Sequence, residues 1–311
     1  MTVFLKCSTF LKKKDLTMKK PIPAALGMIF ALFLTFSLSL TADSLVKADP
    51  PKGKEWVLTF EDAFDGPKVD ESRWFPAYRP GRKEYYKRIG HPSRWEDLRA
   101  NYVIEDGILK LRLDRDLPAR SALTNKCVSS MQTACYWYQE ATDSFRDEVK
   151  FAQKYGYFEI RSRMPAGAGL HSAFWLTQVG AFSQEYHVDG TRGTLADGVV
   201  EIDIFEQPGG KTTTQNEFNV HFTKDGFFAC PLTFDASKEF HVWGLEWEEG
   251  RLTWYLDGKV VRVYEGQTPQ KEMFVLIGLY QGIFGAADPE MPYPRDFEID
   301  YVRVWACRQN P

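Results

Sequence analysis

From Trp56 onward, short runs of β-branched and aromatic residues alternate with clusters of Gly, Pro, Asp and Asn. Trp56 to Phe60, Ile108 to Leu113, Tyr155 to Met164, Glu217 to Phe222, Val242 to Trp247, Leu252 to Leu256 and Phe297 to Trp305 read as strands. Within one of them, Tyr157, Glu159, Arg161 and Arg163 alternate with Phe158, Ile160, Ser162 and Met164, which predicts one buried and one accessible face. Asp257-Gly258, set between Leu252–Leu256 and Lys259–Tyr264, predicts a two-residue hairpin turn. A single helical candidate covers Asp143 to Gln153, and no repeat period points to a propeller or solenoid. Strands with no linker between them predict an all-β fold: one two-sheet antiparallel β-sandwich of the jelly-roll kind over residues 49–311. Tyr78 to Arg99 is expected to be a long surface loop.

The first 48 residues follow another pattern. Lys19 and Lys20 precede an apolar run from Ala24 to Leu40, and Val46-Lys47-Ala48 supplies a small-x-small exit. That order predicts a secretory signal peptide within 1–48. Met18 stands directly before the lysines, so 1–17 reads as an upstream extension. The expectation is an exported, extracytoplasmic protein, free of the membrane after cleavage, with an uncleaved anchor as the alternative. Beyond the leader remain Cys127, Cys135, Cys230 and Cys307, an even number that permits two disulfides, with Cys127–Cys135 the favoured pair. No CxxC occurs, which argues against a zinc site.

A hydrophobic share of 44% with 26% charged residues excludes wholesale disorder and a polytopic membrane protein, and a net charge of −3 gives no footprint for nucleic acid. Nine Trp, 14 Tyr and 23 Phe suit ligands with flat apolar faces, sugars among them. Chemistry enters at Glu201-Ile202-Asp203-Ile204-Phe205-Glu206. In a strand Glu201 and Asp203 share one face, while strict alternation would turn Glu206 into the core. Burying an unpaired carboxylate costs several kcal/mol, so one extra residue is expected to bulge and return Glu206 to the face of the other two. Three crowded acids raise the pKa of at least one of them, and carboxyls with separated pKa values are what glycosidic cleavage needs. A solvated strand face and a metal cluster are the competing readings, though a flat strand supplies the latter poorly.

The segment EIDIFE resembles the signature strand of glycoside hydrolase family 16, in the form with one extra residue before the last Glu. FDGPKVDESRW (64–74), NYVIEDGILKLRL (101–113), KYGYFEIRSRMP (154–165), GLHSAFWL (169–176), FHVWGLEWEEGRLTWYLDGKVV (240–261) and FEIDYVRVW (297–305) agree in order with the same family. The resemblance implies a concave, concanavalin-like jelly roll and a monomer that hydrolyses internal β-1,3 or β-1,3-1,4 glucan-type linkages with retention. By position Glu201 would be the nucleophile, Glu206 the general acid and base, and Asp203 the residue tuning the pair. The implied substrate contacts are Glu159, Arg161, Trp175, Asn219, His221 and Tyr280. His171 and Ser172 stand where many 1,3-glucan enzymes carry Trp-Pro, and this puts a titratable group beside the polysaccharide. No cofactor is implied for catalysis. A structural calcium is implied at Asp300 and Gly107, although Ala63 stands where an acid is common. A non-catalytic lectin, an agar-type galactan hydrolase and a transglycosylase remain open on the same fold.

Overall fold

In the computed structural model Asp257 and Gly258 take φ of 49° and 73°. Two positive values in succession suit a hairpin turn of type I′, and the turn joins β13 (Arg251–Leu256) to β14 (Lys259–Glu265) as the sequence predicts. The structure describes residues 49–77, 91, 99–114, 127–180, 201–209, 212–221, 226–282, 285–286, 288 and 290–308, all within the unit Val46–Pro311. The expected leader over 1–48, and most of the expected loop from Tyr78 to Arg99, lie outside the described residues.

Two antiparallel sheets carry the fold. One runs in the order β14, β13, β12 (His241–Glu248), β7 (Gly156–Arg163), β16 (Arg295–Cys307), β3 (Ile108–Leu113) and β2 (Tyr102–Glu105), and β1 (Trp56–Asp62) pairs with the later part of β16. The other runs β11 (Ala229–Pro231), β10 (Gln215–Val220), β9 (Glu201–Glu206), β8 (Leu170–Gln178), β15 (Met273–Gln281) and β4 (Cys127–Gln132). A separate hairpin consists of β5 (Ala134–Gln139) and β6 (Ser144–Val149). The Asp143–Gln153 stretch is therefore not a helix: pairing with β5 overrides the helical leaning of Arg146 and Glu148.

Between the sheets, Phe158, Ile160, Trp243, Leu245 and Val302 of the first meet Ile202, Ile204, Phe205, Phe218 and Ile277 of the second in one buried cluster. Each such side chain, fully buried, contributes about 1.5–3 kcal/mol. The favoured Cys127–Cys135 disulfide is not formed. Cys135 is a free, buried thiol on β5, Cys230 and Cys307 are free as well, and β4 and β5 lie in different sheets.

The outer face of the first sheet holds a wholly buried carboxyl. Glu159 accepts hydrogen bonds from Tyr157 (3.1 Å) and Tyr301 (2.9 Å). Tyr157 lies flat across Gly244, where an added Cβ would sit 2.2 Å from its hydroxyl. Burial pushes the Glu159 carboxyl up from 4.5 to about 7, the two tyrosyl hydroxyls opposing that rise. Since the folded state holds this proton more tightly than the unfolded chain does, the stabilisation is complete below pH 4.5 and is lost as pH rises through about 7. Glu159→Gln removes that loss, worth up to ~3 kcal/mol. Thermal unfolding of both proteins at pH 5 and pH 8 checks this: the variant gains on the wild type at pH 8, and parallel curves would refute it.

Candidate active site

β9 pairs with β8 as Glu206↔Ala173, Phe205↔Phe174, Asp203↔Trp175 and Ile202↔Leu176, so one residue of β9 has no partner in the register. On its other edge three steps of β9, from Asp203 to Glu206, match two steps of β10, from Asn219 to Glu217. The strand is bulged at Ile204, and Ile204 and Phe205 both enter the core. Phe205 is held there by Trp243 at 5.1 Å and Phe297 at 5.8 Å between ring centroids. Glu201, Asp203 and Glu206 thereby share the outer face of the second sheet. Asp203 gains a further tie from behind: Trp254 Nε1 of β13, in the opposite sheet, donates to its backbone carbonyl at 2.9 Å.

Each acid has a named partner. Asn219 Nδ2 donates to Glu206 Oε2 at 3.0 Å, and the Asn219 Oδ1 accepts from Phe228 N at 3.1 Å, which fixes the amide orientation. His171 Nε2 lies 3.2 Å from Glu206 Oε1. His221 Nε2 lies 2.8 Å from Asp203 Oδ2 and 3.3 Å from Glu201 Oε1, so one nitrogen serves both carboxyls. Asp203 is fully buried, and burial, with the negative Glu206 and Glu201 beside it, raises its pKa well above the usual carboxylate range. Burial also acts to raise Glu206, but the hydrogen bond and charge of His171, with bonds from Asp203 and Asn219, outweigh it and hold Glu206 low. Of the three acids, Asp203 is therefore the one that favours its protonated form.

Several of the expected contacts gather around this trio. Trp175, Tyr280 and Asn219 lie on the same sheet face, on β8, β15 and β10, and His221 directly follows β10, its backbone N–H donating to the Glu201 carbonyl at 3.1 Å. Trp175 Nε1 donates to the Tyr280 hydroxyl at 3.4 Å, and both pack with Tyr136 and Tyr138 of the β5–β6 hairpin. The Tyr280 ring lies over Gly278, where a Cβ would come within 2.3 Å of its hydroxyl. His171 shares the face but is only 4% exposed, so it meets Glu206 more than it meets solvent.

Glu159 and Arg161 do not join the site. They sit on β7 of the other sheet, and because Phe158 and Ile160 fill the core, their side chains leave on the far outer face. Alternation identified a shared face; the sandwich turns that face away from β9. Arg161 bears on the expected calcium site: its Nη1 donates to Asp300 Oδ2 at 2.8 Å, so one oxygen of the carboxylate expected as a ligand is already engaged by a cation. Among the described residues, Glu201, Asp203 and His221 are the one set whose ligand atoms lie within 4.8 Å of one another. The 2.8 Å separation of His221 and Asp203 is that of a hydrogen bond.

Three participants carried no signal in the sequence. Gln207 is fully buried, its Oε1 accepting from Ser172 Oγ (2.9 Å) and its Nε2 donating to Pro165 O (3.0 Å). Trp254 reads as an ordinary strand aromatic. Phe227 follows β10, is 67% exposed, and meets the His221 ring edge-on at 5.1 Å.

Known proteins resemble this chain in sequence and in fold. The profile of Glycosyl hydrolases family 16 matches residues 121–303. A beta-glucanase of Brevibacillus brevis is 32% identical over 227 residues, covering 72% of this chain and 71% of that protein. Glucan endo-1,3-beta-glucosidase A1 of Niallia circulans is 24% identical over 283 residues; the match covers 80% of this chain and only 37% of that longer protein. In fold, the chain superposes with a TM-score of 0.65 and 23% identity on a GlcNAcα1-4Gal releasing endo-β-galactosidase from Clostridium perfringens, covering 85% of this chain and 67% of that one.

Trp254→Phe keeps an aromatic ring but removes the N–H together with part of the indole, leaving the Asp203 carbonyl buried without its donor. The expected cost is about 1–3 kcal/mol of stability, seen as a lower midpoint in urea unfolding. An unchanged midpoint would show that the bulge does not depend on this tie.

Proposed function

Because the chain belongs to glycosyl hydrolase family 16, we propose that it hydrolyses internal β-1,3 or β-1,3-1,4 linkages of a glucan by double displacement with retention. The observation that carries the reading is Asp203: fully buried, set between two glutamates of separated environment, and so biased towards its neutral form. Glu206, ionised in the resting cluster, first takes up a proton from solvent and then gives it to the leaving oxygen while Glu201 attacks the anomeric carbon. Water, activated by Glu206, then releases the sugar from Glu201. Through both steps Asp203 keeps the second negative charge out of the cluster, which two neighbouring carboxylates would otherwise oppose by several kcal/mol. The glucan preference rests on the names of the curated relatives. Export, the fitting context for an enzyme that meets a polymer, rests on the basic and apolar leader.

Reducing-end release from laminarin, barley glucan and agarose tests the substrate class, with activity on one of the first two expected. Glu201→Gln and Glu206→Gln each should lose activity by a thousandfold or so, as expected when a group of the covalent mechanism is removed. Cleavage by either at the wild-type rate would remove the mechanism. Binding without cleavage by the wild type would support the lectin reading in its place.

Phe227 presents an exposed ring beside the His221 that serves the nucleophile. Stacking on a sugar ring is its expected use. Phe227→Ala should raise KM for oligosaccharides several-fold with kcat less affected, and Phe227→Tyr should restore it. Equal KM values in all three proteins would refute the platform.

A further inference from the structure

His171 is placed by bonds that fix the position of its proton. Its Nδ1 lies 2.5 Å from the backbone carbonyl of Gln207. A carbonyl only accepts, so Nδ1 carries hydrogen, and in the neutral ring the lone pair is on Nε2. That nitrogen points at Glu206 Oε1, 3.2 Å away. A hydrogen bond across this gap has two forms, with the proton on Glu206 and donated to Nε2, or on Nε2 and donated to the carboxylate. The ring has little freedom to choose another partner. Gln207 is locked by Ser172 and Pro165, the Tyr280 ring lies 5.6 Å from the imidazole, and the second oxygen of Glu206 is taken by Asn219.

We propose that His171 is a positioning residue that shares the acid/base proton with Glu206, the two holding one proton between them. This rests on Glu206 being the general acid and base. The proton leaves the pair for the glycosidic oxygen as the bond to the leaving sugar breaks. It returns from water as the bond between the sugar and Glu201 is hydrolysed, so each turnover restores the pair. The other titratable groups facing the pair among the described residues are Asp203 beside Glu206 on β9, Glu217 opposite Glu206 on β10, and Tyr280 on β15. The carboxyls all favour retention of a proton in the cluster.

Two bases that compete for one proton release it at a higher pH than either would alone. His171→Gln keeps a donor towards Glu206 but removes the second base. In the full-length protein, the alkaline limb of the kcat profile on a β-glucan oligosaccharide should move to lower pH by about one unit. A histidine that only supports the fold would leave the limb in place and lower kcat equally at every pH, and that result overturns the proposal. NMR of histidine-labelled protein decides the pairing without the His171 variant. His171 should show the Nδ1–H tautomer and an Nε2 resonance that moves in Glu206→Gln as its hydrogen bond to the carboxyl is lost; an Nε2 resonance unmoved by that change also overturns it. If the wild type cleaves no β-glycan, the hydrolase reading falls, while the NMR comparison still decides whether the two side chains share a proton.

Discussion

One unpaired residue in β9, held in the core, determines where the chemistry lies. Ile204 and Phe205 are consecutive and both enter the same core between the sheets, which a regular strand does not allow. Ironing out the bulge would expose one of them, at about 1.5–3 kcal/mol, and would strip Trp254 from the Asp203 carbonyl at about 1–3 kcal/mol more. Against this, two unit charges about 4 Å apart at a protein surface repel by roughly 4 kcal/mol. The terms are comparable, so crowding alone could distort the strand. The cluster has an easier relief: Asp203 takes up a proton, the repulsion falls, and the backbone keeps its shape. Core packing thus sets the geometry, and protonation adapts to it.

The same balance explains what the sequence disclosed. The bulge was legible because an alternating strand would have buried Glu206 without a partner, and the energetic objection to that is independent of any tertiary detail. The Asp257-Gly258 hairpin was legible because its turn needs two positive φ angles, a local demand. Period-two alternation, by contrast, says which residues share a face and nothing about which side of a sandwich that face takes. Glu159 and Arg161 were misplaced for this reason. His171 was expected to meet substrate, but its orientation is set by Gln207, 36 positions later, through a contact that only the pairing of β8 with β9 creates. Trp254 reaches Asp203 across the core from the other sheet, 51 positions away. Contacts of that range leave no trace in local pattern.

Glu159 and Asp203 are both fully buried carboxyls, and in both the proton is held more tightly than usual. A displaced pKa therefore does not by itself mark the active site. The difference is in the neighbours. Glu159 faces two tyrosyl hydroxyls, which satisfy it as a local structural group and offer it no second carboxyl to exchange with. Asp203 faces Glu206, Glu201 and His221, three further ionisable groups. A proton on Glu159 has nowhere to go when it leaves, so its loss costs stability. A proton on Asp203 belongs to a set whose members redistribute charge as a sugar is attacked and released, so the same burial that would burden a structural residue keeps the cluster one proton richer than three exposed acids would be. What separates the two sites is the connectivity of the ionisable groups, and that connectivity follows from the side of the sandwich on which each strand presents them.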